Sequence, residues 1–463
     1  MALKKGDVIS IEITDMAFGG KGFTKIDGLA VFVENAVAGD IVEAKIYKKK
    51  NKYAEAYVEK IITPSPNRVQ PKCLHAGICG GCKWQHLSYE KQLFYKTQQV
   101  KDVLTHIGLL SDITVFPILA SKKIFEYRNK MEFSCSNRRW LTREEMLQSN
   151  PPNRDFAIGL HAPGTFDRIL DTQICYLQPS FGNILLEKIR EFIHNSNFPL
   201  YNLRTHEGFW RFIMLRHAIG TDKWLVNLVT SKENNDILIP FSKSLIEQYP
   251  SVRSVVNNVT ARKAGIAVGE YEITLAGENT LLEKLGGYIF EISANSFFQT
   301  NTHQAKILYD TIKKYANLKG DEVVFDLYTG TGSIAIYLSN QARKIIGFEL
   351  VESAIQDARK NARRNNVSNC EFISGDVKDT FFQVTEKPDV LILDPPRTGV
   401  HQDVIQAILK LAPPKIIYVS CNPATLARDV RILKENYLLK KVQPVDMFPH
   451  TFHIECVALL EKL

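Results

Sequence analysis

The first 62 residues alternate apolar and polar positions in short runs, VISIEIT, LAVFVEN, IVEAKIY and YAEAYVEKII, broken by Gly19, Gly20, Gly22, Gly28 and Gly39. A period of two puts one face of each run in a core, and the glycines supply turns, so the segment predicts a small β-barrel. The stretch TPSPNRVQP at 63–71 predicts an extended linker, because proline lacks a backbone donor and biases its neighbours away from helix. From Cys73 to about Gly287 the order is α+β, with a helix over 89–104, strands at KMEFSCS and FAIGLHA, and a helix over 181–194. After Glu291 strands and helices alternate through VVFDLYTGTG, KIIGFEL, CEFISGD, VLILDPP and KIIYVSC, which predicts a doubly wound parallel sheet. Three domains are expected, at 1–62, 63–287 and 288–463.

A chain of 463 residues with 45% hydrophobic content has apolar surface for more than one core. No apolar run approaches the roughly 18 residues of a membrane span, and MALKKGDVIS lacks the apolar segment of a secretory signal. A cytosolic monomer is expected. The net charge of +8 permits a polyanionic partner without requiring one. Eight cysteines without an export signal do not predict a disulfide framework, which leaves catalysis, metal binding and burial.

Chemistry concentrates at the strand tips. In FDLYTGTGSIAIYL an apolar strand runs through Asp326 into a Gly330 and Gly332 turn and then a helix, a geometry that lets backbone approach a ligand. Glu349 ends the second strand, where a carboxylate can take both hydroxyls of a ribose, and Asp376 and Asp394 end the third and fourth. The competing role is helix capping, to which Asp376 is equally suited. Cys421 follows KIIYVS on the same edge, and a helix beginning near Ala424 is expected to lower its thiol pKa. Glu455 opens the last apolar strand, HIECVALLEKL, and is the candidate base. Cys135, Cys370 and Cys456 read as small core residues. CLHAGICGGCKW groups Cys73, Cys79 and Cys82 among glycines, and Cys175 follows later; four thiolates suit zinc or an iron–sulfur cluster, and spacing does not choose between them.

DPPRTG, SCNPATLARD and HIECVALLEK, with FFQTN at 297–301 and DLYTGTG, closely resemble the RNA uridine-C5 methyltransferase family over nearly the whole chain. The resemblance implies a class I, Rossmann-like methyltransferase domain at the C-terminus that binds S-adenosylmethionine through Gln299, Tyr328, Glu349 and Asp394, to which the strand-tip position adds Asp376 as a cofactor-binding candidate. It also implies Cys421 as nucleophile, Glu455 as proton acceptor and Asp394 beside both reactants. Residues 1–62 resemble the TRAM module, an OB-like RNA-binding barrel, whose Lys48, Lys49, Lys50 and Lys52 are expected to meet phosphates. The four cysteines match the branch acting on 23S ribosomal RNA that carries a [4Fe-4S] cluster on Cys73, Cys79, Cys82 and Cys175. Family members often have cysteine where this chain has Thr329. The expected function is C5 methylation of a uridine in 23S ribosomal RNA; the alternatives are the same chemistry on a transfer RNA, and a non-catalytic RNA-binding assembly factor.

Overall fold

The computed structural model describes residues 3–110, 112–263, 265–380 and 384–463. The glycine-punctuated runs form a six-stranded sheet in the order Val8–Glu12, Ile41–Lys49, Tyr53–Thr63, Leu29–Glu34, Gly22–Ile26, Asp15–Met16. Alternation sends Val31, Val33, Val42, Ile46 and Ala56 into its core. Irregular register along the Ile41–Lys49 and Tyr53–Thr63 pair adds bend and twist, which curls the sheet as a barrel requires. The proline-rich connection is pinned to this unit: buried Asp40 accepts from the backbone N–H of Ser65 at 2.8 Å and pairs with Arg68 at 2.5 Å.

The middle of the chain forms a mixed eight-stranded sheet whose centre is Lys130–Ser136, Trp210–Ala218 and Lys223–Thr230. The helices Ser180–Asn195 and Asn235–Gln248 supply Leu185, Ile189, Leu238 and Leu245 to its core. A hairpin, Thr280–Leu285 with Tyr288–Ser293, follows, turning on Gly286 and Gly287 at φ 59° and 92°. Positive φ at both turn residues matches the right-handed twist of the strands.

The C-terminal sheet runs Cys370–Ser374, Lys344–Glu349, Val323–Leu327, Val390–Leu393, Lys415–Ser420, Glu455–Lys462, Tyr437–Val445, Thr114–Val115. The first five are parallel, as expected, while Glu455–Lys462 is antiparallel to both neighbours. Strand order reverses between Val323–Leu327 and Val390–Leu393, the point where the carboxyl ends of a doubly wound sheet open a crevice. Two pieces from early in the chain join this unit. Thr114–Val115 pairs with Lys441 and Val442, and the helix Tyr89–His106 packs Val100 and Leu104 into the same core as Leu426 and Val430 of the helix Pro423–Leu433. Lys96 on the early helix is fully buried and pairs with fully buried Asp446 at 2.6 Å. Among the described residues no helix is long and apolar enough to cross a membrane.

Candidate functional site

At the first strand tip the backbone turns sharply. Tyr328, Gly330 and Gly332 all have positive φ (65°, 57° and 75°), and a Cβ on Gly332 would meet Phe372 at 2.8 Å, so that position is restricted to glycine by space as well as by conformation. Over Gly330 the space is open. Its N–H donates to Glu349 at 3.2 Å, and the other Glu349 oxygen accepts from Val351 N–H at 2.9 Å, which fixes this carboxylate beside the turn. Asp326 beneath is fully buried: Thr329 Oγ1 donates to one oxygen at 2.6 Å, and the Ala335 backbone N–H also favours its charged form. Burial first, and the charge of Glu349 after it, push Asp326 up to about 7 against the Thr329 hydroxyl. A held carboxylate beside an open glycine turn fits a ligand bearing ribose hydroxyls, as S-adenosylmethionine does.

Asp376 lies near Tyr328, whose phenol burial and the Asp376 charge push up to about 12. Its side chain accepts from Lys378 N–H at 3.2 Å and its carbonyl accepts from Thr380 N–H at 3.0 Å, so it does cap the short helix Val377–Thr380. Gln299 is buried, and its carbonyl accepts from Asn129 at 3.0 Å. It stands just before Asn301, whose side chain caps the helix Thr302–Ala316. From that helix Tyr309 reaches Ser333 Oγ at 2.7 Å and lies in the field of both Asp394 and Asp326. Among the described residues no hydrogen bond joins the Gln299 side chain to the other candidates.

The second cluster stands across the switch point. The last ladder pair is Ser420 with Cys456, so one step further the register brings Cys421 opposite Glu455. Cys456 is fully buried, as are the side chains packed around it, in keeping with its core role. Two loops are tied together here: Asn422 Nδ2 donates to the Arg397 carbonyl at 3.2 Å, and buried Asp429 accepts from Tyr418 at 2.7 Å and from Val400 N–H at 2.9 Å. Gly399, at φ 79°, lies so close that a Cβ would meet Arg428 and Asp429 within 2.6 Å.

Burial and the neighbouring Asp326 charge push Asp394 up to about 7. Burial and Asp394 raise Glu455 well above the carboxylate range, opposed by Arg397. Cys421 corrects an expectation: its thiol goes up, to about 11, rather than down. Burial is the main cause, then Glu455 and Asp394, with Arg397 again opposing. The helix does begin at Pro423, but its first free N–H groups are taken by Asn422: Ala424 N–H by the side chain at 3.1 Å, and Thr425 and Leu426 by the carbonyl at 3.1 Å. Little of the helix's positive end remains to stabilise a thiolate. Arg397 is the side chain that sequence reasoning passed over although it sits inside DPPRTG; its signal was a cation directly after the prolines of a strand tip.

The four cysteines of the middle region share one neighbourhood. Burial raises all of them, Cys79 to about 11 and Cys82 to about 12, and Cys82 also feels the charges of Cys175, Cys79 and Cys73. Gly80 lets the loop lie against the strand Ala157–His161, since a Cβ there would come within 2.7 Å of the His161 carbonyl. The donor set is chemically suited to a soft metal. As placed, however, no group of three or more His, Cys, Asp or Glu among the described residues is arranged to hold a metal ion, so the expected cluster is not visible as a formed cage. The expected phosphate-facing lysines are also reduced: Lys48 is paired with Glu55 at 2.5 Å.

Three modules meet on the segment leading to Glu455. Lys83 and Trp84 N–H groups donate to the His450 carbonyl at 2.9 Å, Tyr127 donates to the Pro449 carbonyl at 3.0 Å, and Trp84 Nε1 donates to the Gly20 carbonyl at 3.1 Å. The Phe18 ring of the N-terminal sheet stands 6.2 Å from that of Phe452.

Comparison with known proteins follows the same division. The family described as tRNA (Uracil-5-)-methyltransferase matches residues 278–463, and the TRAM domain matches residues 2–58. An uncharacterized RNA methyltransferase of Chlorobaculum tepidum is 43% identical over 99% of this chain and 97% of its own length. A second, from Bacteroides thetaiotaomicron, is 42% identical over 96% of this chain and 100% of its own. The crystal structure of Pyrococcus abyssi tRNA (uracil-54, C5)-methyltransferase in complex with S-adenosyl-L-homocysteine is similar with a TM-score of 0.75 and 28% identity, covering 97% of this chain and 99% of that one.

Proposed function

Because the chain belongs to the S-adenosylmethionine-dependent RNA uracil-C5 methyltransferase family and carries an N-terminal TRAM domain, we propose that it methylates C5 of a uridine in 23S ribosomal RNA through a covalent bond from Cys421. The observation that carries this reading is the register that sets Cys421 opposite Glu455 and beside Asp394 at the carboxyl edge of the sheet. It acts as a cytoplasmic monomer in which residues 1–62 grip RNA, 63–287 hold the cysteine site and 288–463 carry out the reaction.

C5 of uracil is a weak nucleophile. Addition of Cys421 Sγ to C6 forms an S–C6 bond and moves the C5=C6 electrons toward O4, giving an enolate that is nucleophilic at C5. S-adenosylmethionine supplies the electrophilic methyl group when bound, and Gln299, Tyr328, Glu349, Asp376 and Asp394 are the residues that would hold it. Glu455 then takes the C5 proton, the double bond re-forms and Sγ leaves as thiolate. Burial holds Glu455 protonated and Cys421 as thiol, so before attack each must release its proton to solvent in the loaded site, leaving a thiolate to add to C6 and a carboxylate to take the C5 proton. The Arg397 charge favours both ionisations. A non-catalytic assembly factor would need neither residue.

We assign a [4Fe-4S] cluster to Cys73, Cys79, Cys82 and Cys175, supported by their shared burial and mutual charge effects. Iron and sulfide in anaerobically purified protein are expected; zinc alone overturns the assignment. For the substrate, a transfer RNA is the second reading, favoured by the full-length likeness to the Pyrococcus abyssi enzyme, which also means that the barrel does not distinguish the two. Mapping 5-methyluridine in RNA from cells with and without this protein decides. Loss of a 23S position is expected, loss of a transfer RNA position establishes the second reading, and an unchanged map overturns both.

A further inference from the structure

The nine residues 446–454 join the strands Tyr437–Val445 and Glu455–Lys462 without forming a helix or strand, and most of them are buried. Connections between strands usually run over the surface, where water satisfies their backbone. Here five successive carbonyls, from Asp446 to His450, each accept from a donor distant in the chain. In order, the donors are Gln304 Nε2 at 3.0 Å, Asn301 Nδ2 at 3.0 Å, Lys96 Nζ at 3.1 Å, Tyr127 Oη at 3.0 Å, and the paired N–H groups of Lys83 and Trp84 at 2.9 Å. A buried polar network whose members are paired is rigid.

The end of this run is held hardest. His450 has φ 66°, a left-handed conformation that residues other than glycine rarely adopt. Gln92, fully buried on the helix Tyr89–His106, grips it from both sides of the amide: Oε1 accepts from His450 N–H at 2.8 Å, and Nε2 faces His450 Nδ1 at 3.2 Å. The same Nε2 donates to the Trp84 and Leu87 carbonyls at 3.0 and 2.8 Å, so one side chain ties the turn to the loop that follows Cys82. From the turn a short relay reaches the catalytic edge. Thr451 Oγ1 donates to the Phe448 carbonyl at 2.8 Å and accepts from His453 N–H at 3.2 Å, and buried Ile454 leads into Glu455, the first residue of its strand.

We propose that Gln92 and His450 are positioning residues for proton removal: they lock the left-handed turn that delivers the Glu455 carboxylate to C5 of the target uridine. The proposal rests on the reading of Glu455 as the base. It gives the loop after Cys82 a role in the reaction that is independent of what its thiols hold.

The test uses the full-length protein with S-adenosylmethionine and RNA from cells lacking it, prepared either with 5-fluorouridine or without. Attack by Cys421 and methyl transfer need no base, so the fluorinated RNA reads those steps alone, whereas release from ordinary RNA needs Glu455. Gln92→Leu removes the grip on His450, and His450→Val forces a β-branched residue into the left-handed region; thermal melting identifies folded variants. Both are expected to bind RNA and form the fluorinated adduct as the wild type does, but to release ordinary RNA about ten- to a hundredfold more slowly, the order of effect of a misplaced catalytic group. A methylated covalent complex should therefore build up on ordinary RNA in these variants alone. His450→Gly adopts the turn freely and keeps its backbone bonds, so it should restore clean release. Deuterium exchange in the wild type should place the His450 amide among the slowest, which decides even if both impaired variants fail to fold. Folded variants that release product at the wild-type rate overturn the proposal, and so does rapid exchange at His450. Equal slowing of the fluorinated adduct also overturns it, because general damage rather than a displaced base is then the cause. If the wild type forms neither adduct nor 5-methyluridine, the methylation reading itself fails, and the proposal with it.

Discussion

Asp446 and Glu455 stand nine residues apart on consecutive pieces of the same C-terminal region, and both are buried, yet they are provisioned in opposite ways. Asp446 accepts from Lys96 Nζ at 2.6 Å and from Tyr89 Oη at 2.8 Å, and Lys96 also donates to the Phe448 carbonyl at 3.1 Å. Glu455 has no ion pair among the described residues; its strongest charge neighbours are Asp394, which repels its charge, and Arg397, which favours it. A buried charge kept for the fold is partnered on every side, because leaving it alone is costly. Buried acids left unpartnered at the crevice keep their protons, which is useful where a proton must be moved.

The largest effect that sharpens this contrast comes from Lys96→Ala. Removing the partner strands the Asp446 carboxylate in the core, so a stability loss of about 3–5 kcal/mol is expected in denaturant unfolding; a loss below about 1 kcal/mol would mean that Asp446 is not held as an ion.

Asp394→Asn should act in the opposite direction. In the folded protein Asp394 titrates near 7 rather than at its ordinary value near 4, so wild-type stability falls as pH rises through that window and stays reduced above it. Asparagine carries no such charge. The variant is expected to melt near wild type at pH 4 and to gain up to about 4 kcal/mol over it at pH 8, about three pH units at ~1.36 kcal/mol each, while losing methyl transfer. Equal stability at both pH values would show that Asp394 is not dry.

Arg397→Gln is a milder perturbation. Its charge lowers the pKa of both Cys421 and Glu455, so its loss raises both. The ascending limb of the pH profile for covalent attachment to RNA should move alkaline by about one unit. An unmoved profile would remove Arg397 from the account.

The smallest effect is expected for Asp376→Ala, whose side chain caps a single helical turn. A loss of about 1 kcal/mol in stability is expected, together with several-fold weaker S-adenosylmethionine binding by calorimetry. Unchanged binding would confine Asp376 to capping.

Much of the fold was legible because it is written in local periodicity. The run KIIYVS became the strand Lys415–Ser420, the runs in residues 1–62 became one curled sheet, and the strands after Glu291 formed the expected parallel sheet, with the candidate acids at its carboxyl edge. Cys421 and Glu455 were legible as a pair because two strand ends fix their register. The thiol pKa was not, since the carboxyls that raise it come from two other strands and the helix terminus is spent on Asn422. Nor did any pattern announce that Thr114–Val115, two residues long, would close the C-terminal sheet, or that Lys96 would lie buried against Asp446 far along the chain. These are tertiary pairings without a local signature.

The central claim is that Cys421 bonds the target base, and RNA containing 5-fluorouridine tests it most directly. A C5 fluorine cannot leave as a proton, so with S-adenosylmethionine present the wild-type protein should accumulate a covalent RNA complex whose modified peptide contains Cys421, and Cys421→Ala should form none. An adduct that persists in Cys421→Ala, or methylation by that variant, would contradict the account.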